Sequence, residues 1–86
     1  MDRTAVTYRV EFHASALAQL DGLPPEAFDA LVDQIVKLVD APWNAQPLSP
    51  SEPHFRQCQF GGLGLLSFYL DEQQESLRIF DVTWVG

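Results

Sequence analysis

The sequence predicts an α+β fold in the order β-α-α-β-β-β, and three observations carry that expectation. Residues 55–86 split into three strand-like runs, FRQCQF, LGLLSFYL and SLRIFDVTWV, divided by Gly61 and Gly62 and by the polar run at 71–75, which makes a β-meander. Ahead of them, Phe28, Leu31, Val32, Ile35, Leu38 and Val39 recur at helical spacing. Near the start, Tyr8, Val10 and Phe12 alternate with Arg9 and Glu11, the period of a strand with one buried face. A chain of 86 residues, 47% hydrophobic and 20% charged, is expected to form one domain, 1–86, around one core.

Each element has a local reason. The first strand spans 7–12. In the next stretch, 14–23, Ala16, Leu17, Leu20 and Leu23 repeat at helical spacing, with Ser15 or His13 near the start and Gly22 near the end. Pro24 and Pro25 then break the chain. Pro25 suits the first position of a second helix, where its missing N–H costs nothing. That helix sets Glu26, Asp29, Asp33, Lys37 and Asp40 apart from its apolar stripe, and its early carboxylates suit the helix dipole. Residues 41–54 hold four of the six prolines and read as an irregular surface connection that Trp43 pins to the core. In the meander, Leu66, Phe68 and Leu70 share a face with Gly64, opposite Leu65, Ser67 and Tyr69. Strict alternation in the last strand puts Phe80, Val82 and Trp84 on one face and Leu77 and Ile79 on the other. Both faces are partly apolar, so one meets the helices and the other is packed or binds something.

Twelve acids against five bases give a net charge of −7, which repels a polyanion at long range. The cations Arg3, Arg9, Lys37, Arg56 and Arg78 can offset this only by converging in space. Cys58 is alone, so no internal disulfide or multi-cysteine metal site is expected, and in a strand it reads as a small buried hydrophobe. No apolar run approaches a membrane span and no signal-peptide core follows the start, so the expectation is a cytoplasmic chain with no membrane partner. The run GGLGLL lacks the Lys and Ser/Thr of a phosphate loop and no helix follows it. His13 is isolated and either caps the first helix or packs beside Phe12. No cofactor and no metal are expected.

The order of elements and the string YRVEFHASALAQLDGLP at 8–24 resemble the RelE/ParE toxin superfamily of type II toxin–antitoxin systems, over nearly the whole chain. The features in common are the opening strand ending at Phe12, Ala16 and Leu20, the Leu23–Pro24 break, Ile35 and Leu38, Pro42, Leu48, the Phe55–Arg56 pair, the glycine turn, and the strand closing in Leu70–Asp71. The resemblance implies a small, mainly antiparallel sheet packed on a helical hairpin. It implies bacterial toxins that in many members cut messenger RNA on the ribosome, in others inhibit gyrase, and that are wrapped by an antitoxin helix. Cutting RNA needs a base for the 2′-hydroxyl, an acid for the leaving oxygen and cations for the crowded phosphate. By the same resemblance Arg56 is the leading phosphate contact. Gly64 and Leu65, however, stand where the family has Tyr-Arg, Trp84 and Val85 stand where it often has His-Arg, and the sequence ends at Gly86 without a basic tail.

Tyr69 and His54 are candidates for proton transfer beside a catalytic Arg56, with Arg56 and Arg78 as substrate-binding residues. Each also has a plainer reading: Tyr69 as a cross-strand aromatic, His54 as an exposed loop residue, Arg78 as a partner of Glu75 or Asp81. Glu11, on the non-core face of the first strand, is equally open. Trp84, Phe80 and Phe68 suit base stacking, but without interleaved Lys or Arg such a face suits protein. Two functions follow. One is a toxin-fold protein whose ancestral activity is ribosome-dependent messenger cleavage, with most catalytic cations missing and a weak or inactive RNA interferase as the result. The alternative is a non-catalytic member that binds an antitoxin, gyrase or its own copy as a homodimer.

Overall fold

The computed structural model describes residues 8–85, so Arg3, Thr7 and Gly86 lie outside the described residues. The order is β1 (Arg9–Phe12), α1 (Ala14–Leu20), α2 (Pro25–Asp40), a 3-10 turn (Pro42–Asn44), β2 (Gln46–Ser49), β3 (Glu52–Phe60), β4 (Gly64–Asp71) and β5 (Ser76–Trp84). The strands form one sheet in the order β1-β5-β4-β3-β2. β2 through β5 run antiparallel as a meander, and β1 joins the far edge parallel to β5. The expected α+β arrangement, a helical hairpin against a mainly antiparallel sheet, is what the chain adopts.

The two proline signals act as expected. Pro24 is the extended N-cap residue of α2 and Pro25 begins the helix. α1 ends at Leu20 rather than Leu23, because the N–H groups of Asp21, Gly22 and Leu23 turn back onto Ala18, Gln19 and Leu20 in short 3-10-type bonds. His13 makes no side-chain cap. Its backbone N–H instead donates to the Ile79 carbonyl at 2.8 Å. Past Ile79, the last β5 residue paired with β1, the sheet edge is satisfied by α1: the Val82 N–H donates to Gln19 Oε1 at 2.7 Å and Gln19 Nε2 donates to Asp81 at 3.1 Å.

The core lies between the helices and one face of the sheet. It holds Ala16, Leu31, Leu38, Phe60, Leu66, Phe68, Leu70, Leu77, Ile79 and Val82. Here strict alternation fails. The register slips between Ser67 and Phe68, so that Ser67 opposes Asp81 while Phe68 opposes Ile79. Phe80 is the inserted residue of a β-bulge. Val82 therefore joins Leu77 and Ile79 in the core, Trp84 stacks on the buried Phe60 ring at 5.7 Å, and Phe80 turns to the other face. The hairpin at Gly61 and Gly62 forms as expected, both glycines having positive φ. A Cβ on Gly64 would run into the Phe60 ring.

Two further expectations change. The connection at 41–54 is not wholly irregular: it holds the 3-10 turn and β2, and β3 begins at Glu52, three residues ahead of Phe55. The β3 backbone offers a ladder that Gln46, Pro47 and Ser49 can follow despite the prolines, which an edge strand tolerates. On α2 the apolar stripe is wider than the buried one. Ala27, Leu31 and Leu38 are buried, but Phe28, Val32 and Val36 remain 44%, 42% and 59% exposed on one flank.

Candidate functional site

The sheet face turned away from the helices carries a cross-strand row. Direct register partners align Phe55 on β3 with Tyr69 on β4, Tyr69 with Arg78 on β5, and Arg78 with Glu11 on β1. Such neighbours have Cβ atoms close enough to interact. Phe80 shares this face with Arg78, and its ring meets Phe55 edge-on at 5.8 Å, while Phe55 and Tyr69 lie 4.9 Å apart. With His13 at the rim, these side chains line an open depression of about 470 Å³.

Charges on this face are already paired. Arg78 Nε donates to Glu11 Oε1 at 3.2 Å, and Arg78 Nη2 lies 3.7 Å from Asp71 Oδ2. Its partners are thus Glu11 and Asp71 rather than Glu75 or Asp81. Arg9 approaches the same Glu11 at 3.9 Å. Beyond Tyr69, His54 Nε2 bonds Glu72 Oε1 at 3.2 Å, and the His54 ring lies 6.0 Å from that of Tyr69.

Arg56 sits elsewhere. Alternation turns it away from Phe55, toward the chain that follows α2. Its Nε donates to the Pro53 carbonyl at 2.8 Å, and its Nη1 donates to Ala45 O at 2.7 Å and Trp43 O at 3.3 Å. The guanidinium carbon also lies 4.7 Å from the Trp43 ring centroid. Trp43, 38% exposed, covers Arg56 and meets His54 edge-on at 5.5 Å instead of entering the core. The structure therefore sets Tyr69 beside Arg78 and near His54, and leaves Arg56 on the far side of β3, joined to His54 only through Trp43. Of the three aromatics suited to stacking, Phe68 and Trp84 face the helices and only Phe80 reaches the open face. Sequence reasoning overlooked Phe55 and Asp71 as part of this face, since both depend on register across strands.

The remaining titratable feature is on the covered side. Cys58 is half-buried, its thiol hydrogen-bonded to the Gln34 side chain, and burial pushes its pKa up against the opposing pull of that bond. No helix among the described residues is long and apolar enough to cross a membrane.

No family model matches the sequence, and no curated protein matches it. Solved structures do. The toxin–antitoxin complex RelBE2 from Mycobacterium tuberculosis is 24% identical, with 98% of each chain covered and a TM-score of 0.83. An E. coli toxin RelE mutant in complex with an antitoxin RelBc peptide is 16% identical over 93% of this chain and 85% of that one, with a TM-score of 0.81. The archaeal RelE–RelB complex from Pyrococcus horikoshii is 16% identical over 93% and 97%, with a TM-score of 0.63. The chain has the fold of these RelE structures.

Proposed function

We propose that this chain is the toxin-fold member of a toxin–antitoxin pair that acts by binding protein and does not cut messenger RNA. The observation that carries the reading is the engagement of its arginines. Arg78 is held between Glu11 and Asp71, and Arg56 faces three carbonyls on the opposite side of its strand. A phosphate in transfer needs converging cations free to take up its charge, and the open face offers it carboxylates. A docking surface for the antitoxin is supplied by the exposed flank of α2. Phe28, Val32 and Val36 repeat every fourth residue, beside Asp29, Asp33 and Asp40, a stripe that an amphipathic helix would cover. Co-expressed with the product of the neighbouring short open reading frame, the chain should co-purify with it, and Val32→Asp should break the complex while leaving the thermal melt unchanged. A free monomer beside that product, or a homodimer that excludes it, would count against this reading.

A second reading rests on Tyr69, which is the direct neighbour of Arg78 and lies near His54. In it Tyr69 and His54 exchange the protons, Arg78 touches the phosphate, and Arg56 contributes from the far side of β3. Translating ribosomes supplied with micromolar protein should show no cut messenger under the first reading. Cuts that vanish in Tyr69→Phe and Arg78→Ala would establish the second.

A further inference from the structure

We propose that the open face of the sheet receives a basic, extended polypeptide segment whose arginine side chains stack on Tyr69 and Phe80 and bond to Glu11, Asp71 and Glu72. The inference rests on the reading that this chain binds protein and does not cut messenger RNA, and it names the chemistry of what the open face binds. Two independent features point the same way, the shape of the aromatic floor and the balance of donors and acceptors around it.

The floor is continuous. Phe55 touches Tyr69 at 4.9 Å with planes 58° apart and Phe80 at 5.8 Å with planes 76° apart, so the rings pack on one another and leave no box between them. A compact ammonium or quaternary ammonium is best held inside such a box. A planar guanidinium needs only one ring face, and it sheds water more readily than an ammonium does. The depression of about 470 Å³ above the rings has room for side chains of a partner.

Acceptors are in surplus beside it: Glu11 and Asp71 flank Arg78, and Asp71 and Glu72 line a second depression that shares Tyr69 with the first. A carboxylate has about four lone-pair sites. Glu11 gives one oxygen to Arg78 Nε and has Arg9 at the edge of contact range, 3.9 Å away. Asp71 accepts the Gln74 N–H at 3.1 Å and holds Arg78 Nη2 at 3.7 Å. Glu72 offers Oε1 to His54 and keeps Oε2. The two arginines of this face are thus engaged while three carboxylates retain unfilled sites. Water fills these sites in the free chain, and a positively charged donor from outside takes its place with a stronger, charge-assisted bond, drawn in by the net charge of −7. An RNA strand would instead set its phosphates against these acids.

The test is fluorescence anisotropy at physiological salt with short labelled probes: an arginine–serine peptide, its lysine and glutamate counterparts, and a single-stranded RNA. The arginine peptide should bind about tenfold or more tighter than the glutamate peptide and the RNA, and measurably tighter than the lysine peptide. Phe80→Ala and Glu11→Gln should each weaken it about fivefold, whereas Leu17→Ala, at an exposed position of α1, should leave it unchanged. Glu11→Gln keeps an acceptor for Arg78, so it reports on the site even if Phe80→Ala proves unstable. RNA bound as tightly as the arginine peptide, a lysine peptide equal to it, or affinity indifferent to Glu11→Gln would overturn the inference. Cut messenger in the ribosome assay would bring down the underlying reading. An intact messenger together with no preference for arginine would bring down this inference alone.

Discussion

On the covered face of the sheet Leu66, Phe68, Leu70, Leu77 and Ile79 have no exposed surface. On the opposite face of the same strands Phe55, Tyr69 and Phe80 are only half-buried and sit among Glu11, Asp71 and Arg78. The first set is fixed by contact with the helices, where the loss of one methylene is felt. The second is fixed by little except register, so its chemistry can change while the frame persists. That contrast is consistent with a fold shared at only 16–24% identity with RelE structures. Truncating the two faces at matched positions would break the comparison. Phe68→Ala should cost about 3–5 kcal/mol through lost burial and the cavity left behind, much of the stability of so small a domain. Phe80→Ala should cost less, about 1–2 kcal/mol, because part of its ring already meets water. Urea unfolding of both variants measures the difference, and equal losses would mean that the open face is part of the core.

The two arginines sharpen the comparison at a smaller scale. Arg56→Ala removes the shared donor of three carbonyls and uncovers Trp43, which should cost about 1–2 kcal/mol and speed hydrogen exchange across Pro42–Asn44 and β2. Arg78→Ala breaks ion pairs with Glu11 and Asp71 whose side chains are 25–41% exposed, and such pairs contribute about 0–1 kcal/mol. If Arg78→Ala proves the more damaging, the open face is a structural network and a poor candidate for binding.

What could be read from the chain follows the same division. The α2 helix, the Pro24–Pro25 break and the three-strand meander declare themselves through local periodicity and turn chemistry, and they stand where expected, although only part of the α2 stripe is buried. The single inserted residue at Phe80 has no local signature, yet it moves Val82 and Trp84 to the other face, since a period of two inverts with every slip. The Glu11–Arg78 contact joins residues 67 positions apart through a parallel pairing that neither strand announces. Arg56 is hidden for a different reason: its acceptors are backbone carbonyls, which any sequence possesses. The family resemblance drew notice to Arg56 by position along the strand, and position along a strand does not say which side the guanidinium takes.

Cys58 offers the smallest and most specific check on the covered face. It lies on β3 opposite Leu66, packs beside the core, and has its thiol pKa raised by burial against the opposing Gln34 hydrogen bond. A raised native pKa means that the folded chain holds this proton more tightly than the unfolded one. The contribution to stability is complete below the unfolded thiol's value, about 8.5, and is lost as pH climbs through that value toward the higher native one. Unfolding free energy should therefore fall as pH rises through about 8.5 and above in the parent chain and fall less steeply in Cys58→Ala. Every other group is the same in both chains, so the difference between the two slopes isolates the thiol. Parallel slopes would show that Cys58 meets water as freely in the native state as in the unfolded one, and that the covered face opens at β3.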